Sequence, residues 1–280
     1  MVKSRQYHSA LVLTVAASHA DIALQLDDLV LRFTRKEKTF QTAPINKYFF
    51  SGERTAILCQ NRRIRHQLLG SIYGLVQPIS GCVIKRGIVG WPLGLKGGID
   101  GKLTLQQNMN FLGALYADRL APLNLDRFLS MFLGSIGLSP HERLKDLRSR
   151  DQKIFYMVAS LAFSFDIFLV PSARFLMGDD KDMLIQYFRT TFMARVEKRT
   201  LIAASSNKNF LKEFCDRGLA ISPSGQQIFE GSLEDCFSWM KSSSTQSDAT
   251  DDDDDDVVDD STFSLDLSND DEKSEFLEII

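Results

Sequence analysis

No two cysteines in this sequence stand in a C-x-x-C spacing, and the four present (Cys59, Cys82, Cys215, Cys236) are scattered. Their dispersal excludes a disulfide framework and a cysteine-ligated zinc site, and suits a reducing compartment. Histidine is equally sparse: His8, His19, His66 and His141 lie far apart and form no metal-ligating constellation. No apolar run reaches the roughly 18 residues that cross a bilayer, which excludes a membrane-spanning helix. A basic stripe interleaved with aromatic residues is missing too, so a nucleic-acid partner is not expected.

What is present suits one or two globular domains. The 280 residues are 44% hydrophobic and 25% charged, enough for a sizeable core. The net charge of -3 conceals an asymmetry: residues 241–280 hold 15 acidic and 2 basic side chains, a net of -13, and residues 1–240 carry +10. Body and tail therefore attract, and the acidic tail is expected to settle on arginines of the body. Residues 241–262 are dominated by Ser, Thr and Asp, with six consecutive aspartates at 251–256. They can bury too little apolar surface to offset ordering entropy, so disorder is expected there. Phe263–Ile280 alternates acidic with apolar residues, which fits either a segment that folds on a partner or a solubilising end.

At the other end, Lys3 and Arg5 precede the apolar run Ala10–Ala17 and the small residues around Ala20, the outline of a signal peptide. The run is short and broken by Thr14. Residues 1–21 are accordingly read as an extension before the first strand, with a cleaved signal as the other reading. The chain thus divides into an extension (1–21), a domain (22–240) and an acidic tail (241–280).

Hydrophobic periodicity within the domain gives an alternating α/β pattern. Residues 22–33 alternate as a strand, Tyr48–Phe50 reads as a strand before a turn at 51–54, and Thr55–Cys59 as a short buried strand. A helix is expected over His66–Leu75, irregular glycine-rich chain over 81–102, and helices over Leu103–Tyr116 and Leu125–Leu138. Then come helix Lys153–Ser164, strand Asp166–Val170, helix Lys181–Lys198, strand Leu201–Ala204, helix Phe210–Arg217 and a hairpin over Gly218–Phe229. Strands as apolar as 166–170 and 201–204 belong in the middle of a parallel sheet.

Gly90–Tyr116 carries the most specific signal. Trp91, Pro92, Gly94, Leu95, Gly97, Gly98, Gly101, Leu103, Thr104, Asn108 and Phe111 fit the form W-P-x-G-L-x-G-G-f-x-G-x-L-T-x-x-x-N-x-x-F. In this the chain resembles the ATP-binding subunits of capsular-polysaccharide ABC exporters. A second block, Phe163–Asp166 with Leu201–Asp216, fits the same family, and the resemblance covers roughly residues 22–235. It implies an ABC-type nucleotide-binding domain: a P-loop NTPase core sheet with a helical subdomain.

The same resemblance implies that the chemistry is missing. The family's phosphate loop, G-x-x-x-x-G-K-[ST], cradles phosphates with backbone N–H groups, a lysine and a Mg²⁺-binding hydroxyl. Here Cys59 and Ile64 stand at the glycine positions, Arg65 at the lysine and His66 at the hydroxyl. The strand Ile167–Val170 ends in Pro171-Ser172 where the family has Asp-Glu. The signature motif aligns with Leu147-Arg148-Ser149-Arg150-Asp151, and the switch histidine with Ser206. Phe40 stands for the adenine-stacking aromatic, and only Gln106 and Gln107 lie near the family's glutamine. Phe40, Asn61 and Arg65 are what remains of a nucleotide site, for weak ATP contact at most; no catalytic residue and no Mg²⁺ ligand is expected, and ATP hydrolysis is not. The expected partners are the exporter's membrane subunit, an intact ATPase subunit, or both, in a homo- or heterodimer at the inner face of the cell membrane. The alternative is a regulatory scaffold outside transport that keeps the fold and uses its tail for binding.

Overall fold

The computed structural model describes residues 22–245 apart from 36–37, 118–128, 130–131, 135–136, 174–175 and 178–182. The expectations for residues 1–21, most of Leu125–Leu138, and the tail beyond 245 lie outside the described residues.

The first alternating run forms β1 (Ile22–Val30), shorter than the expected 22–33. Leu31 is held by Thr42, whose Oγ1 accepts from the Leu31 amide at 3.0 Å and whose own amide donates to Leu31 O at 3.0 Å. The chain is thereby diverted into a separate ribbon of β2 (Arg32–Arg35) and β3 (Lys38–Gln41). β4 (Ile45–Phe50) starts three residues before the expected strand and alternates strictly: Ile45, Lys47 and Phe49 point inward, Asn46, Tyr48 and Phe50 outward. β5 (Arg54–Cys59) is buried along nearly its whole length. It feeds α1 (Arg62–Tyr73), which begins four residues before the expected His66 and ends at Gly74 in the left-handed region.

The stretch 81–102 is not wholly irregular: it opens with β6 (Ser80–Lys85). All but one of its residues are exposed, so it lacks the apolar alternation that marks a strand in sequence. β4, β1 and β6 form an antiparallel sheet in that order. Next come α2 (Leu105–Leu115), started by a capping box between Thr104 and Gln107, and α3 (Ser149–Leu161). β7 (Ile167–Val170), α4 (Met183–Val196), β8 (Thr200–Ala203), α5 (Lys208–Phe214), β9 (Arg217–Ile221), β10 (Ile228–Ser232) and α6 (Leu233–Thr245) complete the described chain. The expected helix to Arg217 stops at Phe214, and the expected hairpin forms from β9 and β10. α6 carries helical structure five residues past the boundary read at Met240, so disorder from 241 onward is corrected to a helix through Thr245.

The main sheet runs β10-β9-β5-β8-β7, parallel except for β10. β8 is central as expected, but β7 is the last strand in this order. It is nonetheless fully buried because the chain from Val89 to Leu93 covers its edge. The Gly90 amide donates to Ile167 O at 3.0 Å and the Leu93 amide to Leu169 O at 2.8 Å. Covering an edge removes the unpaired groups that would otherwise template aggregation.

Trp91 fixes this cover. It is 3% exposed, packs edge-on against Phe163 and Phe165 at 5.7 and 5.3 Å between ring centroids, and donates from Nε1 to Ser160 Oγ at 3.1 Å. A Cβ on Gly90 would come within 2.4 Å of the Phe165 ring, so only glycine lets the chain pass here. Asn108 is fully buried; its side chain accepts from the Asp100 amide and donates to Asp100 O and Thr104 O, pinning the glycine-rich turn to α2.

One buried charge cluster ties the two larger sheets together. Lys47 on β4, only 1% exposed in its side chain, bonds Glu53 and Glu230 at 2.8 Å each, and Arg217 approaches the same two carboxylates. Burial pushes the Glu53 carboxyl up, but hydrogen bonds from Lys47, the Phe50 amide and Thr55 outweigh it and hold it below its ordinary value.

Candidate functional site

In an open α/β sheet, ligands are taken outside the carboxyl ends of the strands. Here that region comprises the β5–α1 junction and the ends of β7 and β8.

Only Gln60 and Asn61 connect β5 to α1. Asn61 is the N-cap: its side-chain oxygen accepts from the amides of Arg63 at 3.0 Å and Ile64 at 3.4 Å, while its carbonyl accepts from the Arg65 amide at 3.2 Å. Its Nδ2 donates to Pro223 O at 3.1 Å, so the cap is anchored at both ends. Residues 62–64 therefore lie in the first turn of a helix rather than in an open loop, and two of the amides there are satisfied by the chain itself. An anion at this helix start would compete with the Asn61 side chain for those donors.

Ile64 explains why the helix starts so early. It is fully buried, and a Cβ placed on Gly225 would lie 3.2 Å from its Cδ1 and 3.0 Å from Thr42 Cγ2. The first turn of α1 thus packs against the Gly225 segment, which is joined to the Thr42 segment by the Ala43 amide donating to Gly225 O at 2.8 Å.

Arg65 turns toward β8. One guanidinium nitrogen donates to Ser206 Oγ at 2.8 Å and Ala204 O at 3.3 Å. Arg62 donates to His66 Nε2 at 3.5 Å, and Arg63 to Thr34 O on the β2–β3 ribbon. Cys59, at the strand end, is nearly buried and donates to Asn61 O; burial pushes its thiol up to about 11, so it stays protonated and is no nucleophile at neutral pH.

The end of β7 passes into Pro171 and Ser172, both half-buried, and neither offers a carboxylate. Asp166 sits at the opposite end of that strand, paired with Arg199 at 3.0 Å and accepting from the Ile88 amide. β8 leads to Ser205, whose hydroxyl accepts from the Asn207 amide, and Asn207 in turn caps α5. At the start of α3, Arg148 makes no side-chain capping bond and pairs instead with Asp151 at 3.1 Å from an exposed position. Among the described residues, no group of three His, Cys, Asp or Glu side chains is placed to hold a metal ion.

Of the three site residues read from the sequence, the fold brings Asn61 and Arg65 together in one helical turn. Phe40 stands on the β2–β3 ribbon, partly exposed and stacked on Phe33 at 5.7 Å. The Arg63 contact with Thr34 O is what joins that ribbon to α1. The capping role of Asn61 was not read from the sequence, although an asparagine ahead of a helical run is an N-cap signal in its own right.

No protein-family model matches the chain. It is 31% identical over 185 residues to a polysialic acid transport ATP-binding protein, KpsT, of Escherichia coli, covering 66% of this chain and 83% of that protein. It is 25% identical over 186 residues to the ATP-binding protein BexA of Haemophilus influenzae, again covering 66% and 83%. Its fold matches the dimeric ATP-binding cassette MJ0796, solved in a post-hydrolysis state with ADP and Pi, at a TM-score of 0.56 and 16% identity, over 75% of this chain and 98% of that one.

Proposed function

Since the chain belongs to the family of ATP-binding proteins of capsular-polysaccharide ABC exporters, we propose that it is a member that has given up hydrolysis and acts as the non-hydrolysing partner of an exporter assembly. Phosphoryl transfer is positioning plus electrostatics around Mg²⁺. The observation that carries the reading is the closed β5–α1 junction: Asn61 takes the Arg63 and Ile64 amides, and Ile64 is buried where the family needs a flexible glycine. Pro171 and Ser172 supply no metal ligand and no carboxylate to orient water, and Ser206 cannot take up a proton as a histidine can. Arg65 keeps a positive charge, but spends it on Ser206 and Ala204.

In this reading Phe40, Asn61 and Arg65 are relics of a nucleotide site. The partners are the exporter's membrane subunit and, in a head-to-tail dimer, an intact ATPase subunit whose own site still turns over. The protein is peripheral at the inner face of the membrane; among the described residues no helix is long and apolar enough to cross it. Co-purification of the tagged full chain from cells expressing the exporter tests the role. The membrane subunit is expected in a stoichiometric amount. Recovery without it contradicts the transport role and favours a scaffold that has left the exporter.

A further inference from the structure

At the amino ends of the main sheet's strands, opposite the β5–α1 junction, five chain segments enclose a cavity of about 350 Å³. They are the start of β1, the β4–β5 turn, the chain after β6, Asp166 ahead of β7, and Lys198–Thr200 leading into β8. The size is in the range of small-molecule sites. The walls are fastened to one another: the Arg86 amide donates to Ala23 O at 2.9 Å, and the Gly52 amide to Thr200 Oγ1 at 3.1 Å. Among the described residues, Arg86, Lys198 and Arg199 line the cavity against the one carboxylate of Asp166, three positive charges against one negative and so a net of +2. Asp166 is held by Arg199 at 3.0 Å. Lys198 is exposed and makes no ion pair among the described residues. Its backbone lies at φ 58°, in the left-handed region, two residues past the end of α4. Glycine is the usual occupant of such a position, and a lysine there is strained where glycine would not be. The local fold therefore gives no reason for this side chain, whereas the cavity does.

We propose that this cavity binds a small organic dianion, a dicarboxylate or a phosphate monoester, with its charged oxygens on Lys198, Arg199 and the Ser51 hydroxyl. Two negative charges match the net +2 of the lining, and a neutral ligand would leave the Lys198 ammonium uncompensated. A guanidinium carries five N–H donors in a planar fork, so Arg199 can bond an anion while one of its nitrogens stays on Asp166. Ile22 and Ala23, both buried, form the apolar part of the wall and suit a short aliphatic body. The site lies at the other end of the strands from the Asn61-capped amides and Arg65, and its occupancy does not depend on whether the protein hydrolyses ATP.

Succinate and glycerol phosphate separate the two sources of such a group, and acetate supplies a single charge for comparison. Each is titrated calorimetrically into the full chain at low salt and about pH 8, where the first two are dianions. At least one dianion is expected to saturate, and more tightly than acetate. Its Kd should rise about tenfold in Lys198→Gly, the size of one lost charge-assisted contact. Glycine accepts the left-handed backbone at this position, so the variant should melt close to the parent's temperature. Lys198→Glu, which reverses the charge at an exposed position, is the second variant and should abolish saturation. Lys208→Ala, beyond the opposite end of β8, should leave the affinity unchanged. The proposal is overturned if neither dianion saturates in the millimolar range, if acetate binds as tightly as they do, or if Lys198→Gly binds as the parent does.

Discussion

Around Trp91 the family's sequence motif and the packing coincide. Trp91 fills the space against Phe163 and Phe165, Gly90 clears the Phe165 ring, Asn108 holds the turn at Asp100, and the whole stretch covers the edge of β7. At the β5–α1 junction the same fold keeps the strand and the helix but replaces what lies between. Ile64 is buried, Asn61 caps the first turn, and Arg65 reaches across to β8. The first region is a framework held by ring packing and buried hydrogen bonds, and in the second a buried side chain and a capping asparagine occupy the turn from strand to helix. The difference teaches that, at the carboxyl edge of this sheet, the turn from β5 to α1 is a capped helix start packed into the core.

This contrast can be broken by substitutions that treat both regions alike. Trp91→Ala should have the largest effect, a loss of about 4 kcal/mol of unfolding free energy in chemical denaturation, as expected for emptying a buried tryptophan site. Ile64→Ala comes next, at about 3 kcal/mol, because the side chain is fully buried. A change within error at Ile64 would mean that the junction is not part of the core and would dissolve the comparison. Asn61→Ala removes the cap and should cost about 1 kcal/mol, with faster amide exchange at Arg63 and Ile64.

The smallest effect sharpens the comparison through the charge cluster behind β5. The folded-state pKa of Glu53 lies below its ordinary value of 4.5. A depressed carboxylate pKa contributes stability that is present above the unfolded value and is lost as pH falls through the folded one. Stability should therefore decline below about pH 4.5, with Lys47 left buried beside a neutral partner. Urea midpoints measured across this acid range should fall less steeply in Glu53→Gln than in the parent.

Much of the framework was legible in the sequence for physical reasons. Apolar runs such as Ile167–Val170 and Leu201–Ala203 can only be buried strands, and Thr104 with Gln107 announces the start of α2. The W-P-x-G-L stretch identified the family through residues that turn out to be packing residues. β6 was missed because its exposed positions give no alternation, and α6 because residues 230–240 were given no element and the end of the helix runs into the Ser- and Thr-rich stretch read as tail. At the site, the substitutions at Cys59, Ile64, Arg65, His66 and Pro171 could be read directly. What Arg65 builds could not: its bond to Ser206 spans 141 residues of chain, whereas the Asn61 cap is a local contact that the sequence offered and that went unread.

The central claim is that the rebuilt junction no longer supports phosphoryl transfer. Mg²⁺-dependent ATP hydrolysis by the purified full-length chain tests it most directly, with Arg65→Ala measured alongside. The account predicts phosphate release at background for both proteins; turnover in the parent that disappears in Arg65→Ala would contradict it.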